Sequence, residues 1–324
     1  MLTVYLGATL TFFTLSAMNV ASASFYARLL SSYGCLLLCA TYGLIASILL
    51  RLVGAHRNAQ WATARAFRYT MGLTTGVYFE IVEGKQHLDT RPCVLIGNHQ
   101  SELDVLLLGA IFPPYCSVTA KSSLAKVPFL GWFMALSGTV FIDRKNRDTA
   151  VKAFEDAAIE MKRERQTVFI FPEGTRSYAS GPEMGDFKKG AFHLAVQAGM
   201  PIVPVVCANY WGVLSVKEKR FRRGRIPVKG ESTISSTCLR CSIYYVEVAA
   251  DIDPSVLPPI PTAHLTAADV EELTQNTREN MLTELVKLTE SPLGQMATKA
   301  HVGAAEEDLA ELATSGANAN KKER

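Results

Sequence analysis

Charge is nearly missing from the front of this chain: residues 1–50 hold one charged side chain, Arg28. That absence excludes a plain soluble globule, in which about a quarter of all residues are charged. The remaining 274 of 324 residues hold the other 62 charged side chains, roughly 23%, so a normally soluble, core-forming domain follows the apolar front. A large excess of either sign is missing too. A formal net charge of +3 gives no reason to expect nucleic acid as a partner. The density and spacing of a disulfide framework are also lacking. The seven cysteines (Cys35, Cys39, Cys93, Cys116, Cys207, Cys238, Cys241) are odd in number and scattered, which points to reduced thiols facing a cytosol. Cys238 and Cys241 form one C-x-x-C, but no second pair or His follows at zinc spacing, so no metal is expected. No internal repeat is present.

Two long uncharged runs take the place of charge. Residues 2–27 and 29–50 each reach the roughly 20 residues that a spanning helix needs, with Arg51, His56 and Arg57 just behind the second. Ala21-Ser22-Ala23 resembles a signal-peptidase site, but no Lys or Arg precedes it and a second apolar run follows it. The expectation is a membrane-embedded two-helix hairpin over 1–52, with the basic residues behind it keeping the rest of the chain cytoplasmic. Residues 53–76 mix Trp61, Phe67, Tyr69, Met71 and Leu73 with Arg65 and Arg68. They suit an interfacial amphipathic helix, or equally a core helix with exposed arginines.

From residue 77 short β-rich runs alternate with helical ones. VYFEIV (77–82), CVLIG (93–97), TVFID (139–143), TVFIF (167–171), IVPVV (202–206) and IYYVEV (243–248) read as strands, with helical spacing between them and a final helix over about 266–290. This alternation implies an α/β fold with a largely parallel sheet flanked by helices, here bounded at 77–291. Residues 292–324 have few large apolar side chains and read as a disordered tail.

Chemistry concentrates at strand ends, where open α/β sheets place their ligands. In NHQSELD (98–104), His99 and Asp104 would lie about 140° apart on one helix and could not meet. If His99 sits in a loop and Ser101 caps the helix, Asp104 can reach back to one imidazole nitrogen, leaving the other as a general base. Ser101-x-x-Asp104 also fits a plain capping turn. FPEGTRS (171–177) sets Glu173, Gly174 and Arg176 at another strand end, a carboxylate, a bare backbone and a phosphate-matching guanidinium, although Pro-Glu-Gly is also an ordinary turn. GTVFIDR (138–144) presents Asp143 and Arg144, and Pro201-Ile-Val-Pro204 frames a buried strand. Lys217 to Lys229 (KEKRFRRGRIPVK) holds seven basic residues and reads equally as a patch for anionic groups or as a solvated loop.

These four blocks, in this order, resemble those of the glycerophospholipid acyltransferase family, and most resemble its fungal 1-acyl-sn-glycerol-3-phosphate acyltransferases. The resemblance covers roughly residues 50–290. It implies a membrane-bound transferase of phospholipid biosynthesis. An acyl group would pass from acyl-CoA, a co-substrate rather than a resident cofactor, to the sn-2 hydroxyl of lysophosphatidic acid. His99 would be the base oriented by Asp104, with no acyl-enzyme, which agrees with the lack of a G-x-S-x-G elbow. Glu173, Gly174, Thr175 and Arg176 would bind the glycerol phosphate with help from Arg144, and Lys121 and Lys188 are weaker phosphate candidates. The location implied is the endoplasmic reticulum membrane, catalytic part toward the cytosol, with lipid droplets as a further site. Another lyso-acceptor or glycerol 3-phosphate, hydrolysis of the thioester by water, and a non-catalytic lipid-binding role are the alternatives.

Overall fold

A computed structural model describes residues 2–18, 22–81, 84–143, 147–229, 259–292 and 294–295. The expected strand at 243–248, the Cys238/Cys241 pair, Arg144 and the tail from 296 onward lie outside the described residues. The helices are α1 (Leu2–Ala17), α2 (Ala23–Leu52), α3 (Ala59–Thr75), α4 (Asp104–Ile111), α5 (Leu130–Leu136), α6 (Arg147–Glu164), α7 (Gly190–Ala198) and α8 (Val270–Glu290). The strands are β1 (Val77–Ile81), β2 (Gly84–Lys85), β3 (Val94–Gly97), β4 (Cys116–Lys121), β5 (Val140–Ile142), β6 (Thr167–Ile170), β7 (Ile202–Cys207), β8 (Leu214–Ser215), β9 (Arg220–Phe221) and β10 (Gly224–Lys229).

The apolar front divides elsewhere than the charge pattern suggests. The first helix ends at Ala17 and the second begins at Ala23, with Ser22 before it in the left-handed region (φ 62°), so Arg28 lies inside α2 rather than between two helices. Phe12 meets Tyr26 (ring centroids 5.3 Å apart) and the Tyr5 hydroxyl donates to the Leu30 carbonyl, so α1 and α2 form an antiparallel hairpin. By length and composition, only α2 among the described helices could cross a membrane; the 16 residues of α1 reach about 24 Å. One stripe of α2 is small at every fourth position: Ala27, Ser31, Cys35, Cys39, Gly43 and Ser47. These residues are buried and let α3 and α5 approach closely, and a methyl on Gly43 would sit 2.7 Å from Thr63 Oγ1. The opposite stripe, including Leu37, Leu38, Tyr42, Ile45 and Leu49, is exposed. Arg28 donates to the carbonyls of Thr75 (3.1 Å) and Phe221 (3.0 Å), satisfying the end of α3 and fixing the hairpin to the domain.

Seven of the described strands form one sheet in the order β1-β10-β7-β3-β6-β4-β5, parallel throughout except between β10 and β7. β3, β6 and β7 are buried on both faces, as their unbroken apolar runs require. Leu95, Phe169 and Val203 face α3 and α4, whereas Val94, Ile96, Val168 and Ile202 face α6, α7 and α8. Two strands of this sheet were not legible as such. β4 (CSVTAK) hides behind small polar residues, and β10 lies inside the basic stretch read as a patch or loop. There Ile226 and Val228 are buried between flanking Arg225, Pro227 and Lys229, a period-2 signal masked by charge and proline. In register, Ile96 pairs with Ile170 and Gly97 with Val205, so the segments leaving β3, β6 and β7 emerge side by side.

Candidate active site

The segment leaving β3 is tied to the end of β7 by amide side chains. Asn98 exchanges two hydrogen bonds with the Cys207 backbone (both 2.9 Å), and Gln100 Nε2 donates to the carbonyls of Cys207 (3.1 Å) and Ala208 (2.9 Å). Between these anchors His99 is in a loop, five residues ahead of Asp104, the first residue of α4. The imidazole and carboxylate meet, Nδ1 to Oδ2, at 2.7 Å. A carboxylate only accepts at this contact, so Nδ1 carries the proton, and Nε2 keeps its lone pair with no hydrogen-bond partner among the described residues. Ser101 does not cap α4 as expected. Its Oγ accepts from Leu103 N (3.2 Å), and the reciprocal half of the capping turn is made by Asp104, whose Oδ2 accepts from the amides of Gln100 (2.6 Å) and Ser101 (3.1 Å). Asp104 therefore serves the turn and the histidine at once.

The segment leaving β6 lies against this loop. The amides of Ser177 and Tyr178 donate to the carbonyls of His99 (2.9 Å) and Gln100 (3.1 Å), and Phe171 lies flat on the imidazole. Glu173, expected at the phosphate, instead turns inward and is 4% exposed. Its Oε1 accepts from His99 N (2.7 Å) and its Oε2 from Gly185 N (2.9 Å), so it clamps two loops together. Burial pushes the Glu173 carboxyl above its ordinary range, opposed by those two amides. Gly174 adopts φ +70°, the left-handed geometry that turns the chain outward so that Thr175 and Arg176 are exposed. Arg176 Nη1 donates to Glu102 Oε1 (3.1 Å), and the Tyr178 hydroxyl donates to the same oxygen (2.6 Å).

His99, Phe171, Thr175 and Arg176 open onto a cavity of about 610 Å³ that runs between α2, α3 and α4 on one side and β4 and α5 on the other. Its walls are apolar, with Leu36, Phe67, Leu108, Phe112, Phe133 and Met134 among them. Lys121, at the exposed end of β4, lines it, whereas Lys188 is exposed beside the Gly174 turn and is not in its wall. Sequence reasoning missed Phe171 and Tyr210 as neighbours of the pair, and Glu102 and Tyr178 as partners of Arg176. Only the placement of Phe171 at the β6 exit could have suggested a contact.

Residues 81–208 match the family model described as Acyltransferase, which spans the pair, the Glu173 loop and β7. The chain is 42% identical to the 1-acyl-sn-glycerol-3-phosphate acyltransferase of Saccharomyces cerevisiae, over 78% of this chain and 75% of that protein. It is 34% identical to the human 1-acyl-sn-glycerol-3-phosphate acyltransferase beta, over 86% of this chain and 89% of that one. Its fold is shared with the crystal structure of the 1-acyl-sn-glycerophosphate (LPA) acyltransferase PlsC from Thermotoga maritima, with a TM-score of 0.56 at 20% identity, covering 89% of this chain and 98% of that one. With identity this high sustained across most of the yeast and human proteins, the chain belongs to the 1-acyl-sn-glycerol-3-phosphate acyltransferase family.

Proposed function

We propose that this protein transfers a fatty acyl group from acyl-CoA to the sn-2 hydroxyl of 1-acyl-sn-glycerol 3-phosphate, forming phosphatidic acid. The observation that carries the reading is the buried Asp104 fixing His99 with Nε2 free at the mouth of an apolar cavity, beside the exposed guanidinium of Arg176. Nε2 takes the hydroxyl proton as the acceptor oxygen attacks the thioester carbonyl. The C–S bond then breaks, and the departing CoA thiolate recovers that proton from the imidazolium. No covalent intermediate on the protein is needed. The described cysteines agree with this: Cys35, Cys39, Cys93, Cys116 and Cys207 are all buried, and burial pushes the Cys93 thiol up to about 12.

The fatty chain of the donor lies along the cavity, and the acceptor phosphate meets Arg176 and Thr175 at its rim, with Lys121 near enough to assist. Substrates with long chains come from a bilayer, and the exposed stripe of α2 is the surface that meets it, at the endoplasmic reticulum membrane with the site toward the cytosol. The test is purified protein in mixed micelles with labelled acyl-CoA and a panel of acceptors. Phosphatidic acid is expected with lysophosphatidic acid and little product with glycerol 3-phosphate, and His99→Ala lowers kcat by about 10² to 10⁴. Acyl-CoA consumed equally without any acceptor, or near-normal kcat in well-folded His99→Ala, overturns the reading.

A further inference from the structure

The His99–Asp104 pair leans on a residue outside its sequence block. Tyr210 lies three residues past the end of β7, is 1% exposed, and sets its ring edge-on to Phe79 with centroids 5.7 Å apart. Its hydroxyl donates to Asp104 Oδ1 at 2.7 Å. This is the carboxylate oxygen that His99 does not use; Oδ2 receives His99, Gln100 N and Ser101 N. Ser101 Oγ is 3.0 Å from the same phenol. The phenol has one proton and places it on the carboxylate, so the serine hydroxyl must donate to the tyrosine. Ser101 Oγ in turn accepts from Leu103 N (3.2 Å). A run of hydrogen bonds thus starts at Leu103 N just ahead of α4, passes through Ser101 and Tyr210, and ends on Oδ1. Asp104 is 0% exposed, so no water replaces that donor if it is lost.

We propose that Tyr210 is a positioning residue for the reaction, holding the Asp104 carboxylate in the plane that serves His99 Nδ1 and tempering its charge. The proposal rests on His99 being the base. A phenol suits the task because it cannot compete for the proton of His99. Burial, and then the neighbouring Asp104, push its hydroxyl well above the ordinary phenol range, so it remains a donor across any working pH. Among the described residues, the other titratable or charged groups facing the pair are Glu173, whose Oε1 accepts from His99 N, Arg176 and the buried thiol of Cys207.

Tyr210→Phe keeps the ring and its contact with Phe79 and removes only the hydroxyl. It should lower kcat about 10-fold or more, with KM for both substrates within about twofold. The acid limb of kcat/KM against pH should move to higher pH, because a carboxylate with one donor fewer holds the imidazolium more strongly. In an Asp104→Asn background the same substitution should change kcat by less than about twofold, since its route to the base is already cut. Wild-type kcat with an unmoved acid limb, or a full additional kcat loss in the Asp104→Asn background, overturns the proposal. If Tyr210→Phe does not accumulate in membranes, Ser101→Ala carries the test. It leaves the phenol but weakens it as a donor, and should move the acid limb the same way by less; an unmoved limb overturns the proposal. Near-normal kcat in His99→Ala would instead overturn the reading of the base itself, so the two failures are distinguishable.

Discussion

The imidazole of His99 lies flat on the ring of Phe171, with centroids 4.0 Å and planes 14° apart. Phe171 is itself held edge-on by the buried Phe169, centroids 4.8 Å apart, so the core supports the aromatic wall of the site. Asp104 fixes one edge of the imidazole and Glu173 fixes its backbone; Phe171 removes the remaining freedom, rotation out of plane.

Phe171→Leu should therefore keep the apolar bulk and lose the planar support. Displacement of a reacting group by about 1 Å costs up to about 10²-fold. The expected outcome is a 10- to 100-fold fall in kcat with the KM for acyl-CoA nearly unchanged, read by steady-state kinetics on protein whose thermal transition is still cooperative.

Five strands of the main sheet, β1, β3, β5, β6 and β7, and the meeting of His99 with Asp104 were legible in the sequence, because short apolar runs at strand spacing and a polar block after such a run are local signals. What holds the pair was not. Asn98 and Gln100 bond to Cys207 and Ala208, and Tyr210 to Asp104, across more than 100 residues, and no local pattern marks which polar side chain faces which backbone group. Glu173 misled for a related reason: its neighbours Thr175 and Arg176 turn outward, and only the left-handed Gly174 between them reverses the direction. The small stripe of α2 was not read from the sequence, because a largely uncharged helix gives little sign of which face packs on protein and which stays exposed.

Glu173 gives a prediction for pH. Its carboxyl ionises at higher pH in the folded protein than in the unfolded chain, so the folded state holds the proton longer. Stability from this group is greatest below the ordinary carboxyl range and is lost as pH rises through the raised value. Glutamine does not titrate. The difference in Tm between wild type and Glu173→Gln should shift in favour of the variant as pH rises through that window, measured by thermal melts in one detergent across a pH series. The amide nitrogen introduced by Glu173→Gln also meets a backbone N–H where an oxygen accepted, so kcat should fall through the loosened His99 loop.

The exposed stripe of α2 predicts how the protein is held by lipid. Burying one apolar side chain is worth about 1.5–3 kcal/mol, so Leu38→Lys with Ile45→Lys removes several kcal/mol of affinity and adds two charges that must reach water. Carbonate extraction should leave wild type in the membrane fraction and release a substantial share of the double variant. Lysines on the opposite side, as at Cys39, would strike α3 and cause unfolding instead, so a cooperative melt of the released protein separates the two effects.

Arg176 faces a choice between two acceptors, and that choice predicts opposite effects for neighbouring substitutions. Its Nη1 rests on Glu102 (3.1 Å), and Tyr178 holds the same carboxylate oxygen. Both ion-pair partners are exposed, so the contact is worth at most about 1 kcal/mol and would yield readily to the acceptor phosphate proposed to bind the guanidinium. Yielding still leaves a carboxylate near the arriving phosphate, which opposes binding in both the ground and transition states. Glu102→Gln keeps the size and removes the charge, so the KM for lysophosphatidic acid should fall a few-fold while kcat changes little. Arg176→Ala should raise that KM by about 10-fold or more, with some loss of kcat because a loosely held acceptor presents its hydroxyl poorly. The double variant decides whether Glu102 acts through Arg176. If it does, removing the Glu102 charge will no longer lower KM once the guanidinium is gone beyond what relief of direct repulsion gives, and the salt dependence of KM separates these two contributions. A rise in KM for Glu102→Gln would show instead that the carboxylate positions Arg176 for the phosphate and does not compete with it.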